Sequence, residues 1–393
     1  MPAFEPSDNL KRMAAASERP VIGPAPQGMI GLGSGDPDFR TPEHIRQAMI
    51  DAVNEGYSNY PPGMGDPELL EAIAAKMERL SGQPWSPDEL VITSGGSGAL
   101  FASIAAWINP GDTVLIPEPT FSQYADVTRF VGGEPIFVTQ REDFHLDLDA
   151  LRAAAEQHKP KMVVICSPNN PTGVIYSRAE LEGLAQVAAD YNMLVLADEA
   201  YDHLIHDGHE FVSAIDIPEL ADRLLYANTF SKTYAMTGWR LGWVAAKDGM
   251  INYVGRVSRS AGGGVNWALQ RAGIAAITGP MEPTEVMRAE YAARRELIDE
   301  MLAGVEGVSW NAPQGAFYAY IKYDAPQIKS RDMAAIMRER GVALRSGTEY
   351  GPSGEGYIRV AFATDRKSLT EGMLRVRETL TEAVEGRLKA GAA

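Results

Sequence analysis

The feature that most constrains the fold is an alternation of short apolar segments with helical patterns. The apolar segments are residues 113–116, 136–139, 162–166, 193–197 and 224–227. A helical pattern lies between some of them, such as Ser177 to Tyr191, which opens with a capping box formed by Ser177 and Glu180. This alternation predicts a mainly parallel sheet covered on both faces. Ligands bind beyond the carboxyl ends of the strands in such sheets, so functional residues should follow the apolar segments.

Length and composition narrow the class of protein. With 393 residues, 45% of them hydrophobic and 22% charged, the chain is globular and too long for one ordinary core. Its net charge of −16 argues against a nucleic-acid or anionic-membrane partner. No apolar stretch approaches the roughly 20 residues of a membrane-spanning helix, and residues 1–19 lack the pattern of a secretory signal. We therefore expect a cytoplasmic protein, which the single cysteine, Cys166, also fits.

The segment 228–242, directly after the last apolar segment, carries the strongest chemical signal. It holds Lys232 close in sequence to Thr229, Ser231 and Arg240. A lysine that attacks a carbonyl must lose its proton, and desolvation or a neighbouring cation favours this by lowering the pKa. Hydroxyls and a guanidinium are also the donors that suit a phosphate monoester. A nucleophilic lysine beside phosphate-binding donors suggests pyridoxal phosphate (PLP).

Polar and aromatic residues follow the other predicted strands. The strand 90–93 leads into the sequence SGGSG at 94–98 and then an apolar helix. This arrangement directs backbone N–H groups and a helix dipole at a phosphate, although a tight connection without a ligand fits it equally well. Later strands are followed by the segments 121–124, 167–173 and 198–201. Turn formation or helix capping explains each segment alone, but their common position at strand ends indicates one shared site.

These segments resemble those of the class I/II aminotransferases, the fold type I group of PLP enzymes. The matches follow the family order over nearly the whole chain. They are GDPDF at 35–39, YPPGMG at 60–65, GGSGA at 95–99, PNNPTG at 168–173, DEAY at 198–201, TFSK at 229–232, MTGWR at 236–240 and YIRV at 357–360. The resemblance implies an α/β fold in which a large domain with a mainly parallel sheet is joined to a smaller α+β domain.

The resemblance assigns roles around the ring of the cofactor. It implies that Lys232 forms the Schiff base with PLP and carries a proton between substrate and cofactor. Asp198 would face the pyridine nitrogen and keep it protonated, which lets the ring accept electrons. Asn170 and Tyr201 would hydrogen-bond the phenolic oxygen. Phe121 would stack on the ring.

The resemblance also assigns the groups that hold the phosphate. These are the backbone N–H groups of Gly96 and Ser97, the hydroxyls of Ser97, Thr229 and Ser231, and the guanidinium of Arg240. Tyr60 would reach the phosphate bound by the partner subunit. The resemblance therefore implies a homodimer with shared active sites.

Arg359 matches the arginine that binds the substrate α-carboxylate in this family. A guanidinium that binds in a bidentate way fixes the plane of a carboxylate, which a lysine does not. The backbone N–H of Gly35 and the side chain of Asn170 would complete this site. Arg259 lies near a position that binds a distal carboxylate in some members, but the glycines at 262–264 depart from the family pattern and leave this role open.

The predicted elements and the resemblance divide the chain into two domains. We expect a large cofactor-binding domain over residues 46–283 and a small domain over residues 1–45 and 284–393. Residues 1–30 show no clear period and are predicted to be an irregular arm.

Three histidines could be mistaken for a metal site. His203, His206 and His209 are spaced three apart, but Asp207-Gly208 between them indicates a solvated turn. No metal site is predicted.

We predict a PLP-dependent aminotransferase that moves the amino group of an L-amino acid to a 2-oxo acid in two half-reactions, through pyridoxamine phosphate. A C–S β-lyase of the same fold is the alternative, because the residues around the cofactor do not separate the two. A cofactor-binding regulatory module is disfavoured by the acidic charge and by the intact Lys232, Asp198 and Arg359. Acidic, aromatic and branched-chain donors all stay open, as does the acceptor.

Overall fold

The computed structural model of the chain describes residues 4–17 and 28–388. The strands are β1 Ile30–Gly31, β2 Leu90–Ser94, β3 Thr113–Glu118, β4 Glu134–Thr139, β5 Met162–Cys166, β6 Leu194–Asp198, β7 Leu224–Thr229, β8 Leu241–Ala245, β9 Val308–Trp310, β10 Tyr318–Tyr323, β11 Val342–Ala343, β12 Arg345–Ser346 and β13 Tyr357–Ala361. The helices are α1 Asp8–Ala16, α2 Glu43–Asn54, α3 Pro67–Ser81, α4 Gly95–Trp107, α5 Gln123–Phe130, α6 Leu148–His158, α7 Arg178–Asp190, α8 Phe230–Thr233, α9 Ile251–Gly262, α10 Trp267–Thr278, α11 Glu282–Leu302, α12 Ser330–Glu339 and α13 Arg366–Val384.

The central sheet has seven strands in the order β2-β8-β7-β6-β5-β3-β4. Its strands pair in parallel from β7 to β4, whereas β8 is antiparallel to both β2 and β7. Every residue of β5 is buried, as expected for a strand covered on both faces. The predicted mainly parallel sheet is therefore confirmed, although the prediction did not include β8. The connection from β7 to β8 holds only α8 and a short 3-10 turn, and so short a connection favours antiparallel pairing.

Two helix starts follow from local side-chain capping. The Ser177 hydroxyl accepts a hydrogen bond from the Glu180 backbone N–H, and the Glu180 carboxylate accepts one from the Ser177 N–H, which is the predicted capping box. Asp66 caps α3 by accepting from the Glu68 N–H. The Thr41 hydroxyl, just before α2, makes no capping bond and donates to the Ala235 carbonyl oxygen at 2.6 Å.

A second, antiparallel sheet has the order β12-β13-β10-β9. Side chains alternate along a strand, so Tyr318 and Tyr320 lie on one face of β10, and Ala319 and Ile321 lie on the other. Ala319 and Ile321 pack in an apolar core with residues of α11, α12 and α13. The other face, with Arg359 of β13, is turned toward the large sheet.

The observed architecture is the predicted α/β fold with a mainly parallel sheet and a smaller α+β part. A parallel pair, β1 with β11, joins the N-terminal region to the C-terminal one. The domain boundary predicted between residues 283 and 284 falls inside α11, and the division at 46–283 stays a prediction.

The N-terminal region is more regular than predicted. Within the predicted irregular arm, residues 8–16 form α1, whose first turn is capped by Ser7, and this helix packs against α5. The remaining part of the arm, residues 1–3 and 18–27, lies outside the described residues.

The histidine segment differs from its prediction as a solvated turn. His206 is fully buried, and its Nε2 lies 2.7 Å from the Ala316 carbonyl oxygen, while His209 is exposed. Burial lowers the pKa of His206 to about 4, so this ring is neutral at physiological pH. Within residues 4–17 and 28–388, no three His, Cys, Asp or Glu side chains group so as to hold a metal ion.

None of the helices in the described part of the chain combines the length and the apolar character needed to cross a membrane.

Candidate active site

A cavity of about 300 Å³ lies between the carboxyl ends of the central parallel strands and the face of the small sheet that carries Arg359. All but one of the predicted site residues line it. They are Gly35, Gly96, Ser97, Phe121, Asn170, Asp198, Tyr201, Thr229, Ser231, Lys232, Arg240 and Arg359. The structure thus brings together segments from nearly the whole length of the chain.

Lys232 stands at the centre of this cavity. It lies on α8, directly after β7, and its Nζ donates a short hydrogen bond to the Gly35 carbonyl oxygen. Burial, with a smaller contribution from the cations Arg240 and Arg359, lowers the pKa of Lys232 to about 8 against the opposing charge of Asp36. The amine is therefore poised to lose its proton near neutral pH, as a nucleophile or a base requires.

Asp198 lies at the carboxyl end of β6 and is buried. Burial raises the pKa of Asp198 to about 6, whereas the Tyr124 hydroxyl, the Ala200 N–H and Lys232 lower it. The Tyr124 hydroxyl donates to Asp198 Oδ2 at 2.7 Å. Cys166 pairs with Asp198 across the sheet, and burial raises the pKa of its thiol well above the usual range. Burial thus keeps the Cys166 thiol uncharged, and Asp198 is the group that carries charge here.

A nest of donors lies at the start of α4. Gly95 has a φ of +69°, and a Cβ on it would lie 2.5 Å from Arg240 Nη2. A Cβ on Gly242 would lie 2.7 Å from the Gly95 carbonyl carbon. Glycine is therefore required at both positions, because β8 and the first turn of α4 approach each other closely. The predicted glycine turn proves to be this first helical turn, which presents its free N–H groups to the cavity.

Thr229, Ser231 and Arg240 surround the same N-terminus. The Thr229 hydroxyl donates to the Leu241 carbonyl oxygen at 3.0 Å and accepts from the Ser231 N–H at 3.2 Å. Arg240 adopts a left-handed conformation with a φ of 61°, which is uncommon for a residue with a Cβ. Its Nη1 donates to the Thr237 carbonyl oxygen at 2.8 Å. These contacts hold two hydroxyls and one exposed guanidinium around the helix N-terminus.

Arg359 projects into the cavity from β13 and is 5% exposed. Its Nη1 donates to Asn170 Oδ1 at 3.0 Å, and its Nη2 donates to the Gly33 carbonyl oxygen at 2.6 Å. Its guanidinium lies 4.2 Å from the centroid of the Tyr318 ring. The buried Nε has no hydrogen-bond partner among the described residues, which leaves a donor for an anionic ligand. Asn170 is thus next to Arg359, and Gly35 also lines the cavity, while the contacts of both with the substrate carboxylate stay predictions.

Several cavity residues were not predicted. Tyr318 is central among them, because its hydroxyl lies 2.8 Å from that of Tyr201 and its ring supports Arg359. The others from the C-terminal part of the chain are Arg345, Glu349 and Tyr350. The alternation along β10 places Tyr318 and Tyr320 on one face, but the sequence does not say which face meets the cavity.

Tyr60 does not line this cavity and is 89% exposed. Arg259 is likewise outside the cavity lining, and its Nη1 lies 2.9 Å from where a Cβ on Gly63 would stand, in the loop that holds Tyr60. Neither residue therefore lines the cavity of its own subunit. The roles expected of them stay predictions.

A sequence model described as aminotransferase class I and II matches residues 27–376. The chain belongs to this family. It is 36% identical over 385 residues to an aspartate aminotransferase of Streptomyces avermitilis, with 94% of each chain covered. It is 33% identical over 362 residues to aromatic-amino-acid aminotransferase 2 of Thermococcus litoralis, with 91% of this chain and 92% of that one covered.

Solved structures of aminotransferases share the fold. The aromatic aminotransferase from Pyrococcus horikoshii superposes with a TM-score of 0.88 at 32% identity, covering 95% of this chain and 99% of that one. The aspartate aminotransferase from Thermus thermophilus with maleate gives a TM-score of 0.84 at 31% identity, covering 96% and 98%. The predicted family, fold class and PLP-dependent aminotransferase activity are thereby confirmed, and nothing in these relatives favours the C–S lyase alternative.

The residues of this aminotransferase cavity fit the cofactor that the family uses. The N-terminus of α4, the hydroxyls of Thr229 and Ser231, and Arg240 form a donor set that suits a phosphate. Lys232 and Asp198 line the same cavity, so an amine of lowered pKa and a buried carboxylate lie within one site.

Proposed function

We propose that this cavity binds PLP through Lys232 and catalyses ping-pong amino-group transfer from an L-amino acid to a 2-oxo acid. The observation that carries the proposal is the convergence of Lys232, Asp198 and Arg359 on one cavity. A nucleophilic amine, a buried carboxylate and a carboxylate-binding guanidinium are the three groups that such a reaction needs. They come from α8, β6 and β13, so only the folded chain assembles them.

The proposed binding residues divide into two groups. The backbone N–H groups of Gly96 and Ser97, the hydroxyls of Ser97, Thr229 and Ser231, and Arg240 would hold the phosphate, while Asp198, Asn170, Tyr201 and Phe121 would hold the ring. When bound, PLP supplies an electron-accepting ring that stabilises negative charge at the substrate Cα. Asp198 would face the pyridine nitrogen, where a carboxylate held charged by Tyr124 favours protonation of that nitrogen.

Substrate binding and proton transfer are assigned to the chain's own residues. Arg359 would bind the α-carboxylate, with its buried Nε as an available donor. Lys232 would then take the proton from the substrate Cα and deliver it to carbon C4′ of the cofactor, on the other side of the nitrogen that joins the two. Its lowered pKa suits this work, because a base is most effective when its pKa is near the working pH.

The experiment that tests the function uses the purified protein loaded with PLP and one L-amino acid at a time, without an acceptor. We expect one equivalent of 2-oxo acid per site and a change in the visible absorption of the bound cofactor. Continuous release of ammonia and pyruvate would show a lyase instead. Absence of any cofactor absorption after PLP is added would refute the assignment of Lys232.

A homodimer with shared sites is also proposed, and the exposed Tyr60 supports it. Tyr60 would contact the phosphate in the partner subunit's cavity. Mixing Tyr60→Phe subunits with Lys232→Ala subunits should then produce hybrids that contain one site with both intact residues. Activity of the mixture above that of either variant alone is expected, and a fully active monomer would disprove sharing.

From composition we further infer a cytoplasmic location, which cell fractionation tests.

A further inference from the structure

Two arginines lie side by side on the cavity face of the small sheet. Arg345 on β12 pairs directly with Arg359 on β13, so their side chains leave the sheet on the same face, about 5 Å apart at Cβ. Both guanidinium groups donate to the Gly33 carbonyl oxygen, at 2.6 Å from Arg359 Nη2 and 3.3 Å from Arg345 Nε. Both residues line the cavity. A substrate held by Arg359 therefore lies next to a second buried guanidinium.

Glu349 neutralises this second guanidinium. Its Oε2 accepts from Arg345 Nη1 at 3.1 Å, and the two side chains are 8% and 11% exposed. Glu349 is held in the 3-10 turn Gly347–Tyr350, which directly follows β12. Little water reaches the pair, so the attraction between the two charges is weakly screened.

Of the two guanidinium groups on this face, one already has a carboxylate partner. Arg359 takes the α-carboxylate, and Arg345 is matched by Glu349. A donor with a second carboxylate would bring an extra negative charge close to Glu349 in a largely buried site. Like charges in such surroundings disfavour binding, which lets a protein reject a ligand that would otherwise fit.

The space beside Glu349 suits an uncharged side chain. A second cavity of about 340 Å³ adjoins the first, and Phe121, Ser122, Glu349 and Tyr350 line both. Its further apolar lining comes from Ile116, Ala125, Phe137 and Pro352. Of its four charged lining residues, Asp126 and Arg129 lie 3.9 Å apart, and the other two are the carboxylates Glu349 and Glu355.

We propose that Glu349 determines donor specificity by keeping Arg345 occupied, so that the enzyme prefers L-amino acids with uncharged side chains to dicarboxylic ones. The inference rests on the proposed function, since it concerns the substrate of the same cavity. Without the Glu349 charge, the Arg345 guanidinium would have a distal carboxylate as its anionic partner, one strand away from the α-carboxylate on Arg359.

The test measures kcat/KM of the PLP-loaded enzyme for aspartate, glutamate, phenylalanine and leucine. The wild-type enzyme should favour the uncharged donors. Glu349→Gln should raise the ratio of acidic to uncharged kcat/KM by about tenfold or more, because one like charge is removed and Arg345 loses Glu349 as its anionic partner. The matched control is Glu382→Gln, which removes a carboxylate that accepts from Arg340 Nη2 at 2.6 Å and lines neither cavity, and it should leave the ratio unchanged.

A double-mutant cycle identifies the group responsible. If the gain for acidic donors comes from Arg345, it should disappear in the Arg345→Met/Glu349→Gln protein. A gain that persists there overturns the proposal, as does an unchanged or lowered ratio in Glu349→Gln or a wild-type preference for acidic donors. Should Glu349→Gln fail to fold, Glu349→Asp tests the same contact, and a smaller rise in the ratio is expected.

Failure of this inference and failure of the proposed function give different results. If no donor yields 2-oxo acid in the half-reaction, the proposed function fails. If donors react but the ratio does not respond to Glu349, only the specificity assignment fails.

Discussion

The two walls of the cavity are built in different ways. The wall from the central sheet consists of strand ends and the loops and helix starts that follow them, with Asp198 at the end of β6 and Lys232 after β7. The wall from the small sheet consists of strand faces, with Tyr318 on β10 and Arg359 on β13. The first wall would bind the cofactor, and the second would bind the substrate.

Side-chain contacts connect the two walls. The Tyr201 hydroxyl of the first wall meets that of Tyr318 in the second, and Asn170 of the first accepts from Arg359 of the second. These contacts therefore link the proposed substrate site on the second wall to the proposed cofactor site on the first. We expect changes in the first wall to reduce kcat and changes to the Arg359 site in the second to act mainly on substrate affinity. Loss of a contact between the walls should act on kcat, and the following experiments test that division.

The largest effect is expected from Lys232→Ala. Loss of the amine removes both the attachment point and the base, so kcat should fall by about a thousandfold or more. Steady-state kinetics at saturating donor measures it. The matched control is Lys322→Ala, an exposed lysine on β10, which should keep wild-type activity. Substantial turnover by Lys232→Ala would refute the assigned role of the first wall.

Asp198→Asn should have the next largest effect. Removing the buried charge should lower kcat by about a hundredfold to a thousandfold. Glu199→Gln is the matched control, since this buried neighbour bonds Ser213 and Ala214 instead of facing the cavity, and it should reduce stability more than kcat.

Tyr124→Phe gives a pH-dependent test of the same carboxylate. The Tyr124 hydroxyl lowers the pKa of Asp198, so its loss should raise that pKa above its value of about 6. Asp198 would then be protonated at higher pH, and the acid limb of the kcat profile should move upward. An unmoved acid limb would show that Asp198 does not govern it.

Arg359→Lys should act on substrate affinity. The lysine keeps the charge but loses the planar fork, so KM for the donor should rise by about tenfold to a hundredfold, with a smaller change in kcat. Arg366→Lys is the matched control, because this exposed arginine pairs with Glu290 outside the cavity. A fall in kcat at unchanged KM would contradict the proposed division between the walls.

Tyr318→Phe tests the contact between the walls and should have the smallest effect. The ring that supports Arg359 remains, while the hydrogen bond to Tyr201 is lost. We expect kcat to fall by up to about tenfold with little change in KM, as for one buried hydrogen bond. Tyr323→Phe on the same strand, whose hydroxyl donates to the Ile328 carbonyl oxygen, should change neither constant. A rise in KM alone would place Tyr318 with the substrate site only.

The sequence by itself determined the first wall. Apolar segments such as 162–166 specify buried strands, and parallel strands place the residues after them at one edge of a sheet. Asn170, Asp198 and Lys232 can therefore be assigned to one site from the sequence. The capping box at Ser177 and Glu180 was readable for a similar reason, since it depends only on neighbours in the chain.

Apart from Arg359, the residues of the second wall are identified only by the tertiary structure. Arg345 and Arg359 meet because β12 and β13 pair in one register, and a shift of one residue would turn the side chains of one strand to the other face. Gly33 and Tyr318 reach the site through contacts between segments far apart in the chain. Register and long-range packing depend on the energy of the whole fold, and local sequence patterns do not encode them.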